Sequence, residues 1–266
     1  MLREEKMKLF LRLAYVGTAY NGYQVQGDQP TVQRELTRAC AELFGMRCDI
    51  VGCSRTDSGV HANMFCVTVA KRGTDVLQTT IPADRIAFAL NAHLPEDISV
   101  YEAVFVSSDF HPRYDVEYKE YVYRIYNSQY RNPFDQGRAW FYPKKIDDQA
   151  LENMQKAAQY FCGTHDFTSF MAQGSQVAHA VRTVRHASVA RCGDVIEFHV
   201  AADGFLYHMV RIMAGTLIAV AEAKLLPEDI PAVIDAKDRS RAGMTAPAQG
   251  LYLHRVAYQH IPKETL

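Results

Sequence analysis

Apolar and polar residues in the first part of the chain follow first the period of a strand and then the period of a helix. Alternation at 9–15 predicts a half-buried strand that ends at Gly17. Thr31 can cap a helix with helically spaced apolar residues as far as Gly45. Strand patterns at 49–53, 64–70 and 98–105 and a helix opened by Pro82 complete the order β-α-β-β-α-β. This order predicts a ferredoxin-like unit with two helices on one face of an antiparallel sheet.

The second part of the chain repeats this organisation without visible sequence identity. The pattern predicts a strand at 116–126, a helix at 148–161, a hairpin of 183–191 and 195–201 that turns at Gly193, a helix at 207–224, a shorter helix after Pro227 and a last strand at 251–258. We therefore predict an α+β protein with two ferredoxin-like, or RRM-like, domains at 1–107 and 108–266. Their antiparallel sheets are expected to form a central cleft.

The composition is that of a soluble globular protein, with 48% hydrophobic and 22% charged residues among 266. The sequence shows neither a signal peptide nor an apolar run long enough to span a membrane, so we expect a cytoplasmic protein without membrane contact. Its six cysteines include no C-x-x-C pair and its ten histidines no H-x-x-x-H pair. These spacings favour buried free thiols and no metal site.

The overall charge is not that of a typical nucleic-acid-binding protein, because 29 basic residues face 30 acidic ones. Positive charge is nevertheless concentrated at 167–193, which contains no Asp or Glu but includes Arg182, Arg185 and Arg191. Such a segment can neutralise phosphates on a protein of neutral net charge. A solvated basic strand and loop would have the same composition, so both interpretations stay open.

Three segments carry residues suited to chemistry on a nucleotide. The polar loop at 55–62 places Arg55 two residues before Asp57, where the guanidinium could flank the carboxylate, although Asp-Ser-Gly is also an ordinary turn sequence. Tyr121 lies on an aromatic strand and is either a core residue or a platform for a base. Arg211 lies in an apolar helix, where it either reaches solvent or pairs with a carboxylate.

The sequence contains none of the common motifs for a nucleotide cofactor or a serine nucleophile. G-x-x-x-x-G-K-[ST], G-x-G-x-x-G and G-x-S-x-G do not occur. A carboxylate with nearby arginines and aromatic residues therefore indicates chemistry on a nucleotide that requires no cofactor.

Seven motifs, in order, resemble those of the TruA-type tRNA pseudouridine synthases. They lie at 17–24, 31–33, 55–62, 110–114, 163–167, 204–211 and 245–253 and span nearly the whole chain. The resemblance implies isomerisation of uridine to pseudouridine at positions 38–40 of the tRNA anticodon stem-loop, without a cofactor. It also implies a homodimer in which one tRNA contacts both subunits.

The resemblance also implies a role for individual residues. Asp57 matches the catalytic aspartate, Arg55 the arginine that enters the space left by the flipped uridine, and Arg211 the ion-pair partner of the aspartate. Tyr121 matches the ring that stacks on the target base. His61, in the same motif as Asp57, and Arg182, in the segment without acidic residues, are predicted to bind substrate.

Four residues depart from the common pattern of this family, namely Val16, Ser54, Asp203 and Met244. An aspartate, a glycine, an asparagine and a proline, respectively, are usual at these places. The departures leave the predicted catalytic positions filled, but Val16 and Ser54 neighbour the expected cleft. Two alternatives therefore stay open: a related enzyme that modifies another RNA position, and a non-catalytic protein that binds or remodels tRNA.

Overall fold

The computed structural model describes residues 6–174, 177, 179–259 and 261. The strands in this part of the chain are β1 (Met7–Tyr15), β2 (Cys48–Gly52), β3 (His61–Lys71), β4 (Ile98–Ser107), β5 (Val116–Tyr126), β6 (Trp140–Phe141), β7 (Gly163–Asp166), β8 (Val181–Cys192), β9 (Val195–Ala202) and β10 (Leu251–Tyr258). The helices are α1 (Val32–Phe44), α2 (Ala83–Asn91), α3 (Asp148–Gln159), α4 (Met209–Ala221) and α5 (Ile230–Asp235). The predicted α+β class is confirmed.

The chain forms two compact units. The first contains the chain as far as Glu117 together with the chain from Leu253 onward, and the second is Tyr118–Tyr252. This division differs from the predicted boundary between 107 and 108. The difference arises because most of β10 returns to the first unit, where it lies beside β3. None of the helices described is long and apolar enough to cross a membrane.

The first unit is an antiparallel sheet in which β1 and β3 are central. β1 pairs with β4 on one side and with β3 on the other, and β2 pairs with the far edge of β3. The strand order β4-β1-β3-β2 is that of the predicted β-α-β-β-α-β arrangement. The helices α1 and α2 contact each other, and they also contact β2 and β4 respectively.

Strand β1 is buried on both faces, whereas alternation predicted a half-buried strand. Its leucines are fully buried, and so is Phe10 on the opposite face. The ring of Phe10 meets the rings of Phe110 and Tyr258 edge-on, with centroids 5.7 and 5.6 Å away. Because Tyr258 belongs to the last strand, the second covering layer was invisible to a local pattern.

Helix α1 begins and ends where predicted, but only its C-terminal end has the expected local structure. Gly45 follows the helix with a φ of 63°, the left-handed conformation expected at a helix end. Thr31 occupies the N-cap position, but its side chain makes no capping hydrogen bond. Its hydroxyl is instead buried without a hydrogen-bond partner among the described residues.

The second unit contains the strand order β5-β9-β8-β7, with β6 parallel to β5. Tyr121, Tyr123 and Ile125 share one face of β5, as its alternation predicts, and they are buried opposite Val200, Phe198 and Ile196 of β9. Helix α3 packs on β8 and on α4. Helix α3 therefore supports both β8 and the helix that carries the predicted catalytic arginine.

The cysteines agree only in part with the expectation of buried thiols. Four of them, Cys40, Cys48, Cys53 and Cys66, are buried, and all six are free. Cys162 is half-buried and Cys192 is exposed at the end of β8. A hairpin end has too few neighbours to cover a thiol.

Candidate active site

The loop that carries Arg55 and Asp57 joins β2 to β3 and closes on itself in a tight turn. The amide of Val60 donates to the carbonyl oxygen of Asp57 at 3.2 Å. Gly59 completes the turn with a φ of 78°, a conformation that glycine adopts at little cost. The carboxylate of Asp57 is thus presented at the start of a turn, on a half-buried residue.

A second segment, residues 17–24, holds this loop from outside. The amide of Tyr23 donates to the carbonyl oxygen of Thr56 at 3.2 Å, and the amide of Gly59 donates to that of Tyr20 at 3.3 Å. The hydroxyls of Thr56 and Tyr15 form a further hydrogen bond of 2.8 Å. The peptide groups on both sides of the aspartate are therefore fixed, which pre-organises its side chain.

Two glycines allow this close approach of the two segments. A Cβ atom at Gly17 would lie 1.9 Å from the carbonyl oxygen of Val60, and one at Gly22 would lie 2.4 Å from that of Thr56. Gly22 also has a φ of 83°. A larger residue at either position would displace the loop, so the glycines of the first motif determine where the aspartate stands.

Arg55 and His61 are placed differently from the expectation. Arg55 is exposed and, within the described chain, its side chain forms no hydrogen bond or ion pair, so it does not flank the carboxylate of Asp57. His61 is only 1% exposed, and its Nδ1 accepts a hydrogen bond of 3.0 Å from the amide of Gly17. This burial favours support of the loop over the predicted contact with substrate.

In the second unit, Tyr121 is 6% exposed and meets the edge of Phe205. The ring centroids are 4.9 Å apart and the planes are 79° to each other. Phe205 is half-buried and belongs to the loop that precedes α4. The two rings form an aromatic corner, with geometry typical of edge-to-face pairs.

Arg211 lies in the first turn of α4 and is tied to the segment that leads to β10. Its Nε donates to the carbonyl oxygen of Ala246 at 2.7 Å, and the amide of Ala246 donates back to the carbonyl oxygen of Arg211 at 3.0 Å. Nearby, the Tyr123 hydroxyl donates to Pro247 at 2.7 Å. Burial raises the pKa of Tyr123, partly offset by the charge of Arg211, so this phenol stays a neutral donor.

The segment that holds Arg211 packs directly on α4 through two glycines. A Cβ atom at Gly215 would lie 1.8 Å from the carbonyl oxygen of Met244, and one at Gly243 would lie 2.6 Å from the backbone of Gly215. The amide of Gly243 also donates to the hydroxyl of Thr216 at 2.9 Å. The backbone of α4 therefore lies directly against the backbone at Gly243 and Met244, and this contact positions the Arg211 side chain.

The basic segment at 167–193 divides into outward and inward arginines. Arg182 is half-buried beside Gly204 and donates to the carbonyl oxygens of Val181 at 2.6 Å and His179 at 3.2 Å, and Arg185 is exposed over the ring of Tyr118 at 5.2 Å. Arg191 donates to the carbonyl oxygen of Ile146 in another part of the unit, at 2.6 Å, and therefore supports the fold. Residues 175, 176 and 178 of this segment lie outside the described residues.

The sequence matches a known protein family and several known proteins. A family described as tRNA pseudouridine synthase matches residues 13–115 and 157–259. A tRNA pseudouridine synthase A of Acetivibrio thermocellus is 43% identical over 93% of this chain and 98% of its own length. Another of Moorella thermoacetica is 46% identical over 94% of this chain and 99% of its own length. The chain belongs to the tRNA pseudouridine synthase family.

Among solved structures, the chain is similar to one from a "Crystal Structure of a Cbf5-Nop10-Gar1 Complex". The TM-score is 0.35 at 11% identity, and the match covers 92% of this chain and 57% of the other.

The family match contains most of the predicted site residues of this synthase. Arg55, Asp57 and His61 lie in its first matched part, and Arg182 and Arg211 lie in its second. Tyr121 lies between the two parts, although the relatives named above cover more than nine-tenths of the chain.

Two departures from the usual family residues preserve the local contacts. Asp203 accepts a hydrogen bond of 3.0 Å from the amide of Thr183 through Oδ1, and an asparagine oxygen could accept the same bond. Met244 contacts Gly215 through its carbonyl oxygen, which a proline would also provide. Both replacements therefore leave the supports of the site unchanged.

The residues that position the site were not among those predicted from the sequence. Gly17, Gly22, Gly215 and Ala246 act through backbone contacts with residues far away in the chain. Their signal was present, because three of these four lie within the family motifs, but no local pattern assigns a glycine to a particular partner.

Proposed function

We propose that this synthase isomerises uridine to pseudouridine in the anticodon stem-loop of tRNA, with Asp57 as its essential carboxylate. The observation that carries the proposal is the fixed presentation of Asp57. In a chain of the tRNA pseudouridine synthase family, the two peptides flanking this aspartate accept hydrogen bonds from the amides of Tyr23 and Val60. A carboxylate on a pre-organised backbone is suited to a reaction at one defined atom.

The reaction needs no net change in composition. The bond between ribose C1′ and uracil N1 breaks, the uracil turns, and C5 bonds to C1′. The proton leaves C5 and N1 gains one, so no oxidant or reductant is consumed. Asp57 could attack the ribose, attack the base or move a proton at the ribose, and all three routes remain compatible with a single carboxylate.

Arg55 suits the opening of the RNA stem. A base inside a stem is unreachable, so the target nucleotide must leave the stack. Arg55 is exposed and, among the described residues, its guanidinium makes no hydrogen bond or ion pair. We propose that it occupies the space left by the uridine, where its planar group can stack and donate hydrogen bonds.

Tyr121 and Arg211 are assigned the roles expected from the family resemblance. The corner formed by Tyr121 and Phe205 offers an aromatic surface for the flipped uracil. Arg211 is proposed as the ion-pair partner of the aspartate. Its Nε is held by Ala246, which restricts the directions available to the rest of the guanidinium.

We further propose a homodimer that works in the cytoplasm without a cofactor and binds tRNA in a cleft. Support for a dimer comes from the loop around Asn132, where Phe134 is 87% and Tyr130 73% exposed. Asn132 accepts a hydrogen bond from the amide of Phe134 at 3.1 Å, so this apolar surface is held in place. Sedimentation equilibrium should give about twice the 30.0 kDa chain mass, and a monomer would contradict the proposal. Cell fractionation tests the proposed cytoplasmic location of the protein.

The test of the function is pseudouridine mapping of unmodified tRNA transcripts incubated with the protein alone. We expect modification within the anticodon arm. Modification confined to another arm would replace the proposed target and keep the activity. Binding of tRNA without any modification would favour the non-catalytic alternative.

The outward arginines of the basic segment should contribute to tRNA affinity. We expect Arg182→Ala combined with Arg185→Ala to weaken tRNA binding and to lower the dependence of log affinity on log salt by about one to two. Arg191 is not a suitable control position, because its side chain donates a hydrogen bond to the carbonyl oxygen of Ile146 and a substitution would disturb the fold. The matched control is Arg85→Ala with Arg72→Ala, two exposed arginines of the first unit. An unchanged salt dependence in the first variant would remove this segment from the RNA path.

A further inference from the structure

A cavity of about 300 Å³ lies at the C-terminal end of α4. It is lined by Tyr142, Lys144, Lys145, Ile146, Ala221, Glu222 and Lys224. All of these residues belong to the second unit. Arg211 lies in the first turn of α4, eleven residues before Glu222, which corresponds to about 16 Å along the helix axis. None of the predicted site residues lines the cavity.

The charged groups of the cavity are arranged around one carboxylate. Glu222 accepts from Lys144 at 2.5 Å, from Tyr142 at 2.7 Å and from Lys224 at 2.5 Å. These contacts, that with Lys144 foremost, lower the pKa of Glu222 to about 2, so the group is ionised at neutral pH. The side chain of Lys145 makes no hydrogen bond or ion pair within the described chain.

Positive charge is in excess in this cavity. Three lysines face one carboxylate, which leaves two positive charges. The C-terminal end of a helix contributes about half a negative charge, too little to cancel them. An anion that enters the cavity would relieve the repulsion among the lysines.

The backbone that carries two of the lysines is held rigidly. Asn127 is buried and its Nδ2 donates to the carbonyl oxygens of Tyr142 at 3.0 Å and Lys144 at 2.7 Å. Its Oδ1 accepts from the amide of Ile146 at 3.2 Å. Arg191 adds a bond of 2.6 Å to the carbonyl oxygen of Ile146. A ligand thus meets a formed site and orders little backbone on binding.

From this arrangement we propose that the cavity binds a phosphate of the tRNA backbone, away from the modified uridine. The inference rests on the proposed function, which brings RNA to this protein. A short RNA stem is long enough to span the distance of about 16 Å along α4 between Arg211 and the cavity. Lysine ammonium groups are point charges that suit phosphate oxygens, and Lys145 is the one whose side chain is uncommitted.

The test compares Lys145→Glu with Lys156→Glu in equilibrium binding of unmodified tRNA at several salt concentrations. Both lysines are exposed in the second unit, both changes alter net charge equally, and Lys156 lies outside the cavity on α3. We expect Lys145→Glu to weaken binding about tenfold and Lys156→Glu less than about twofold. Lys145→Gln should lower the salt dependence of log affinity by about one.

The outcomes separate this inference from the proposed function. Equal weakening by both glutamate variants would reduce the effect to net charge and overturn the phosphate site. Unchanged affinity of the Lys145 variants, with a parent protein that modifies tRNA, would overturn the site alone. A parent that neither binds nor modifies tRNA would overturn both. Since the side chain of Lys145 makes no hydrogen bond or ion pair with any residue that the structure describes, these variants should keep the parent's unfolding curve.

Discussion

Replacing Asp57 with asparagine should abolish pseudouridine formation, with a fall in the single-turnover rate of roughly 10³-fold or more. The amide has nearly the shape of the carboxylate but is neither a nucleophile nor a base. The backbone hydrogen bonds that hold the loop involve Thr56, Asp57 and Gly59 and do not depend on the substituted side chain. The rate is measured as tritium release from tRNA labelled at uridine C5.

The matched control is Asp75→Asn, which removes the same charge from an exposed aspartate of the same unit. Its rate should equal that of the parent. Affinity of the Asp57→Asn variant for tRNA should stay within about threefold of the parent, because Asp57 is one negative charge facing an anionic ligand. Retention of more than a tenth of the parent rate by Asp57→Asn would exclude an essential carboxylate at this position.

Replacing Gly215 with alanine should destabilise the protein and impair catalysis together. Alanine inside a helix is ordinarily favoured over glycine by about 1 kcal/mol. Here the added Cβ would meet the carbonyl oxygen of Met244 at 1.8 Å, so we expect a net loss of about 2–3 kcal/mol. Displacement of that segment would also move Ala246 from Arg211, and misplacement of this size can cost roughly 100-fold in rate. Urea unfolding and the single-turnover rate are the measurements.

The control for Gly215→Ala is Gly193→Ala in the turn between β8 and β9. Gly193 has a φ of 57° and no atom within 4 Å of an added Cβ, so alanine there should cost about 1–2 kcal/mol through backbone strain alone. Its rate should be that of the parent at a temperature where both proteins are folded. A Gly215→Ala variant as stable and active as the parent would show that α4 tolerates the displacement without consequence for Arg211.

The elements could be predicted from sequence wherever a hydrophobic period was long and complete. The bounds of β5, β10 and α1 agree with the pattern, because each has several turns or alternations before a breaking residue. The two-residue β6 and the polar β7 have no period to detect. Helix α4 is shorter than predicted because His208 and Ala223, on either side of it, have φ values of 60° and 55°.

The sequence predicted which residues belong to the site better than it predicted the contacts that those residues make. Family motifs indicated Asp57 and Arg211, and the structure adds what holds each of them. Arg55 was expected to flank Asp57, but among the described residues its side chain forms no ion pair with the carboxylate, since residues two apart in a turn need not share a side. The burial of His61 followed from its bond to Gly17, forty-four residues away. Contacts of this kind depend on the tertiary fold and leave no mark in a local pattern.

The return of β10 to the first unit sets an order of events during synthesis on the ribosome. The second unit is continuous in sequence and is complete once residue 252 has emerged. The first unit begins earlier but lacks the strand that carries Val256 and Tyr258, and the ring of Tyr258 covers Phe10. The unit that starts first is thus finished last, and until then the buried face of β1 stays open to aggregation or to chaperones.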